Sequence, residues 1–273
     1  MRIARVFCKK TNWTPDDQDA YFDVPDMFTP SYDKVMVSVV FTWDIERGKW
    51  LADQWKAVCN NVTIGGPAFN DAGGEFEPGM FLKNGITITS RGCPNSCAFC
   101  FVPKREGKIR ELQIRPGNIV QDNNLLACSG KHIDGVFDML KTQKHVQFKG
   151  GIESRLVDTG FVERCKRLSL SEIWIACDYP GAINSAKKAI SILRSAGISK
   201  GKIRCFVLIG KDMNEEQDRL LELYHSGCLP FAQLYQPEQK IEYSKEWKQF
   251  CRIWSRPAIY KSVAKLSGRP NFI

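Results

Sequence analysis

Ile86-Thr87-Ile88-Thr89-Ser90-Arg91-Gly92-Cys93-Pro94-Asn95-Ser96-Cys97-Ala98-Phe99-Cys100 decides how the chain is read. The first four residues are β-branched, a strand signal, and Gly92 and Pro94 then turn the backbone into a loop with three thiols at a Cys-x3-Cys-x2-Cys spacing. Thiolates so closely spaced can converge on one metal centre. A structural zinc takes four ligands, usually from two short-spaced pairs, and no second Cys-x2-Cys or Cys/His pair stands in the chain to complete that set. In a 4Fe-4S cube the same thiolates leave one iron without a protein ligand and open to another molecule. The spacing favours iron-sulfur, with zinc as the alternative.

Downstream of the loop, apolar runs at 86–89, 124–127, 146–148, 172–176, 203–209 and 231–234 read as strands. Most are separated by helical stretches at 133–141, 160–168, 182–195 and 215–225, the last two closed by Gly197 and Gly227. Strands alternating with crossover helices imply a parallel α/β sheet, and a partial (β/α)6 barrel over residues 80–240 is one way to curve it. Functional side chains are then expected at the carboxyl ends of the strands. Upstream, strand candidates 1–8, 35–41 and 61–64, with a helix over 49–59, form a small Rossmann-like α/β unit over residues 1–79, and 9–33 reads as loop.

The chain's 273 residues, 43% hydrophobic and 25% charged, suffice for a large core and exclude both a stapled miniprotein and wholesale disorder. No run approaches the ~20 apolar residues of a membrane span, and Met1 to Arg5 leads into too short an apolar stretch for a signal peptide, so a cytoplasmic protein without a membrane partner is expected. Eleven cysteines, an odd number, fit reduced thiols or metal ligands better than a disulfide framework.

Residues 240–273 hold six of the nine net positive charges, and Tyr243, Trp247, Phe250 and Trp254 recur there at helical spacing. We read 241–273 as an amphipathic helical extension whose aromatic side docks and whose basic side is solvated or lines a groove for a polyanion. Lys104, Arg105, Lys108 and Arg110 flank the cysteine loop and, with this extension, frame an anionic substrate such as a nucleotide or nucleic acid, or else are simply solvated.

The Cys-x3-Cys-x2-Cys loop, with Phe99 before its last cysteine, resembles the signature of the radical S-adenosylmethionine superfamily. The resemblance implies a 4Fe-4S cluster on Cys93, Cys97 and Cys100 and S-adenosylmethionine chelated to the open iron, with Phe99 beside its adenine. It further implies that one electron, delivered by a partner such as flavodoxin or ferredoxin, cleaves the sulfonium to methionine and a 5'-deoxyadenosyl radical that attacks a substrate. Phe148-Lys149-Gly150-Gly151-Ile152-Glu153-Ser154-Arg155 is similar to that superfamily's third-strand segment. Read with strand alternation, it places Gln147, Lys149, Gly151, Glu153 and Arg155 on one face and Val146, Phe148 and Ile152 on the other. Arg155 would grip the cofactor carboxylate and Glu153 orient its amino or ribose groups; the plainer reading has both bonding to neighbouring strands. Asn123 and Asp178, after strand candidates, stand where the superfamily places polar cofactor contacts. Ser129-Gly130 takes the place of its usual Gly-Gly-Glu.

The first 79 residues are similar to a truncated cobalamin-binding domain. The chain's three histidines (His132, His145 and His225) all follow the cysteine loop, which argues against cobalamin held by a histidine of this domain. The Arg91-Gly92-Cys93-Pro94 start of the loop also resembles methylthiotransferases, but only Cys8 and Cys59 precede it, too few for their second cluster. The six remaining cysteines read as small core hydrophobes. The alternative to an enzyme is a non-catalytic iron-sulfur or zinc module that binds nucleic acid.

Overall fold

The computed structural model describes the backbone of residues 1–267 and the side chains of residues 1–262. Two compact units form: Met1–Gly117 with Glu238–Lys240, and Asn118–Pro237 with the residues from Ile241 onward.

In the first unit the β-branched and apolar runs form short strands, Ile3–Phe7 (β1), Ala20–Tyr21 (β2) and Lys34–Ser38 (β3), followed by helix Ile45–Trp55 (α1) and strand Val62–Gly65 (β4). They pair in parallel in the order β2-β1-β3-β4. The predicted strand-helix-strand pattern is present, with the helix starting at Ile45, directly after a turn at Thr42–Asp44. β2 is an addition within the segment read as loop. Two residues carry no periodic signal, and β2 is seated by its partner, with the Arg5 amide donating to the Asp19 carbonyl at 2.8 Å. Val35, Val37, Leu51 and Trp55 are buried between sheet and helix. The Trp55 indole meets Tyr21 edge-on at 4.7 Å and donates to the Asp23 carbonyl at 3.1 Å, so burial leaves its N–H satisfied. Arg5, buried within β1, pairs with Asp17 and donates to the Gly79 carbonyl at 2.6 Å.

The same unit runs on past Gly79 through strands Ile86–Thr87 (β5) and Ser90–Arg91 (β6), one helical turn at Val102–Arg105 (α2), and strand Arg110–Glu111 (β7). β6 and β7 pair antiparallel, Ser90 opposite Glu111 and Arg91 opposite Arg110, so the cysteine segment is the loop of a two-stranded ribbon.

The second unit alternates strand and helix: Ile119–Val120 (β8), Gly130–Lys141 (α3), Val146–Ile152 (β9), Thr159–Lys166 (α4), Leu170–Ala176 (β10), Ile183–Ser195 (α5), Ile203–Ile209 (β11), Met213–Ser226 (α6) and Leu229–Leu234 (β12). The strands lie side by side in sequence order and are parallel throughout. Unbroken order with right-handed crossovers puts successive helices on the same side of a sheet. Phe137 of α3, Phe161 of α4 and Phe148 of β9 meet there within 6.0 Å of one another, while Lys149, Glu172 and Arg204 alternate onto the other face. The fold is thus α/β with parallel sheets, and no pairing among the described residues closes a barrel.

The strand expected at 124–127 is instead a 3-10 turn at Leu125–Ala127, and the β-branched pair Ile119–Val120 supplies the strand. The run Asp122-Asn123-Asn124 explains this, because side chains that favour turns interrupt the extended backbone before the apolar residues begin. Ser129 and Asp158 cap α3 and α4 by accepting from His132 and Phe161 amides, and Asp212 caps α6.

The closing segment forms two helices, Lys245–Trp254 (α7) and Pro257–Ser267 (α8), rather than one, because Pro257 cannot continue the α7 ladder and starts the next helix. Phe250 and Trp254 are buried, Trp254 stacks on Tyr260 at 5.2 Å, and the Tyr260 hydroxyl donates to the Pro230 carbonyl at 3.3 Å. Tyr243 precedes α7 and donates its hydroxyl to the Tyr235 carbonyl at 2.7 Å. The aromatic side thus docks, and Lys245, Lys248, Arg252 and Arg256 are exposed. Arg269 and the side chain of Lys265, counted in the basic tail, lie outside the described residues. No helix among the described residues is long and apolar enough to cross a membrane.

Gly150 packs so closely beneath β8 that an added Cβ would lie 2.0 Å from the Asp122 carbonyl oxygen. Gly150→Ala should therefore lower stability by about 1–3 kcal/mol, read as a drop in the urea midpoint.

Candidate metal centre

The thiol loop is held at its base by backbone geometry. Gly92 has φ +81°, and a Cβ there would lie 2.1 Å from the Lys108 carbonyl oxygen, so only glycine allows the two strands of the ribbon to approach this closely. The Cys93 amide donates to the Gly107 carbonyl at 3.0 Å. The Gly92 amide donates to the Glu106 carboxylate at 3.2 Å, and Arg105 pairs with the same side chain, which is only 6% exposed. Inside the loop the Cys100 amide turns back onto the Cys97 carbonyl at 3.0 Å, and the Arg105 amide onto the Phe101 carbonyl at 2.9 Å, forming α2.

Cys93, Cys97 and Cys100 are half-buried and none is in a disulfide; Phe99 is half-buried beside them. Among the described residues no three His, Cys, Asp or Glu side chains gather closely enough to hold a metal ion. The donor chemistry itself fits an iron-sulfur cluster: three unoxidised soft sulfur ligands on one loop anchored at both ends. Arg91, the residue before Gly92, has a buried Nε–H without an acceptor and lines a cavity of about 250 Å³ with Glu75, Phe76, Glu77, Met80, Phe81, Leu82 and Ile88, whose two carboxylates make it a poor site for an anion. A buried donor left unmatched costs roughly 1–3 kcal/mol.

The basic residues beside the loop divide in use. Arg105 is committed to Glu106, and Arg110 donates to the Ala72 and Gly73 carbonyls at 2.8 and 3.1 Å. Lys104, 63% exposed, forms a surface pair with Glu238.

In the second unit, the alternation expected for residues 147–155 holds through Phe148 and then breaks. The pairing of β9 with β10 shifts register between Ile173 and Ile175, opposite Phe148 and Ile152, so Lys149, Gly150 and Gly151 form a bulge. Val146, Phe148 and Ile152 are all buried as expected, but Arg155 lies beyond the strand in a 3-10 turn at Ser154–Leu156. Glu153 and Arg155 pair with each other, Arg155 Nε to Glu153 at 2.8 Å and Nη2 at 3.2 Å. Asn123 is half-buried in the turn after β8.

Asp178 follows β10, as its sequence position implies, and accepts from the Leu208 amide at 3.2 Å. Burial pushes its carboxyl up to about 6, and that amide and the Arg219 charge only partly oppose the rise. Arg219 is held by the Leu208 carbonyl at 2.8 Å. On the face opposite Phe148, burial would raise Glu172, but the Trp174 indole, Lys149 and Arg204 together hold it below its ordinary value.

Six of the eight cysteines outside the loop are buried, Cys128 and Cys251 being half-buried. Burial raises the Cys165 and Cys177 thiols, Cys177 to about 12, which keeps them protonated and inert. Glu106 and Arg91 were missed in reading the sequence. Glu106 carried a signal, as the one acid in Lys104-Arg105-Glu106-Gly107-Lys108; Arg91 carried none, because a lone arginine on a strand does not reveal whether its Nε has a partner.

Comparison with models of known protein families finds no match, and a search of curated proteins finds none either.

Two outcomes follow. The raised Asp178 pKa means that the folded state binds this proton more tightly than the unfolded chain, whose aspartates titrate near ~3.9. Stability should fall as pH climbs from about 4 to about 6, by about 1–2 kcal/mol after solvent screening, and Asp178→Asn should flatten that slope in urea titrations across the range. Gly92→Ala should loosen the ribbon, seen as faster tryptic cleavage at Lys104 and Arg105 with little change in the urea midpoint of the second unit.

Proposed function

We propose that this chain is a radical S-adenosylmethionine enzyme that carries a 4Fe-4S cluster on Cys93, Cys97 and Cys100 and modifies an anionic substrate of the nucleotide or nucleic-acid class. The observation that carries this reading is the anchored loop of three half-buried thiols, none in a disulfide, which has the right donors for a cluster and no fourth cysteine in the loop to cap it. When bound, the cluster would supply the electron that splits the sulfonium of S-adenosylmethionine into methionine and a 5'-deoxyadenosyl radical.

The chain's own residues would do the positioning. The Gly92 contact and the Glu106 carboxylate fix the base of the loop that carries the three thiols. Arg155 and Glu153 already orient each other, and exchanging that partly exposed pair for cofactor groups costs little. By the family resemblance, Asn123 and Asp178, at the carboxyl side of β8 and β10, would supply polar contacts to the cofactor. Strands in unbroken order with helices to one side support a partial barrel wall whose opposite face looks onto the reaction space. An external donor of the flavodoxin or ferredoxin kind would deliver the electron, and eleven cysteines without a disulfide suit a reducing compartment such as the cytoplasm.

Anaerobic reconstitution tests this reading. Wild-type protein should take up about four irons per chain, absorb as a 4Fe-4S protein, and release 5'-deoxyadenosine with dithionite and S-adenosylmethionine. Cys93→Ala, Cys97→Ala and Cys100→Ala should each lose the iron and the product, whereas Cys165→Ala keeps both. Stoichiometric zinc in the purified protein, or equal loss from all four variants, would leave the non-catalytic metal module as the better account.

A further inference from the structure

The carboxyl edge of the first unit's sheet carries an exposed aromatic platform. In a parallel sheet ordered β2-β1-β3-β4 the chain passes from β1 to β2 on one side and then crosses to β3 on the other, and ligands of such sheets bind outside the strand ends at the β1/β3 switch. Beyond the ends of β3 and β4 stand Val40, Phe41, Trp43 and Phe69, each between 37% and 51% exposed. Four large apolar side chains left in water at one edge are an unfavourable surface unless something covers them.

The arrangement is specific. Phe41 and Trp43 stack on each other with ring centroids 4.8 Å apart and planes within 7°, so the pair is one flat, partly exposed aromatic stack. The supporting loops are tied together: the Val39 amide donates to the Gly65 carbonyl at 2.9 Å and the Ala68 amide to the Val39 carbonyl at 3.1 Å. A platform held this way is ready-made for another flat ring.

A cation and the cysteine loop are brought to the same place by one residue. The Thr42 hydroxyl, between the two stacked rings in sequence, donates to the Glu238 carbonyl at 2.6 Å, and the Glu238 carboxylate pairs with Lys104, four residues beyond Cys100. That pair is solvent-exposed on both sides and therefore weak, so a phosphate can take Lys104 from Glu238 at little cost.

We propose that Phe41 and Trp43 form a stacking platform for a base of a single-stranded nucleic acid whose adjacent phosphate is held by Lys104. A planar base matches the flat rings, and the phosphate matches the cation beside them. An open platform covers only one side of a base, so the binding comes from successive contacts along a strand, as in sequence-tolerant single-strand binders. This deepens the reading above by naming the substrate class, but it requires neither cluster nor cofactor.

The test uses the full chain without added iron and a fluorescein-labelled, roughly 12-nucleotide single-stranded RNA of mixed sequence, followed by anisotropy across a salt series. Wild-type protein should bind, and Trp43→Ala and Phe41→Ala should each weaken binding roughly 5- to 150-fold. Trp43→Phe, which keeps a flat ring and guards against mere misfolding, should retain most of the affinity. Lys104→Ala should reduce the salt slope by about one. Trp50→Ala, removing an exposed tryptophan on α1, should change nothing. The proposal is overturned if the RNA does not bind, if Trp43→Ala binds as wild type does, if Trp43→Phe loses as much as Trp43→Ala, or if AMP alone binds as tightly as the strand. Each of those results leaves the iron and 5'-deoxyadenosine measurements standing on their own.

Discussion

The arrangement of the thiol loop depends on one close backbone contact. Where Gly92 meets the Lys108 carbonyl, the two strands of a short ribbon come nearer than any side chain allows, and the segment between them becomes a closed loop instead of a free one. Closing it once, at the base, restricts what the three cysteines can do before any metal arrives, because the entropy of bringing the loop's ends together has already been spent in folding. The buried Glu106 reinforces that closure from inside by accepting from the Gly92 amide and holding Arg105. A carboxylate at this depth is tolerable because it is matched by an N–H and a cation.

Parallel pairing links this loop to the rest of the chain's logic. Both sheets are parallel, and a parallel sheet delivers all its strand ends to one edge. In the first unit that edge carries the stacked Phe41 and Trp43; in the second it carries Asn123, Glu153 and Asp178. The two sheets differ in strand order, however. The first has a switch point between β1 and β3, whereas the second runs in unbroken order, with Lys149, Glu172 and Arg204 on the face opposite Phe148. Chemistry at strand ends and recognition at a switch point can therefore coexist in a chain of this size.

Much of the fold was legible in the sequence. Residues 203–209 were read as a strand and form one over the same span, because seven apolar and β-branched residues flanked by polar turns admit few other conformations. The helices of the second unit lie within a few residues of where their spacing and the closing Gly197 and Gly227 put them, because a glycine at positive φ ends a helix by a local mechanism. The misreadings have two different causes. Residues 124–127 look extended until the local Asp-Asn-Asn turn before them is weighed, and the face assigned to Arg155 assumed that the strand runs on past Ile152, where a 3-10 turn at Ser154–Leu156 ends it.

The sequence by itself determined the α/β alternation, the three-thiol spacing, the aromatic side of the closing segment and the buried character of the scattered cysteines, all of which follow from periodicity and residue chemistry within a short window. Only the tertiary structure decided the strand orders, the ribbon that closes at Gly92, the unmatched Nε of Arg91 and the meeting of Thr42 with Glu238 and Lys104. Those features join residues from tens to nearly two hundred positions apart, and no local pattern encodes such pairings, because which distant backbones meet is settled by the packing of the whole unit.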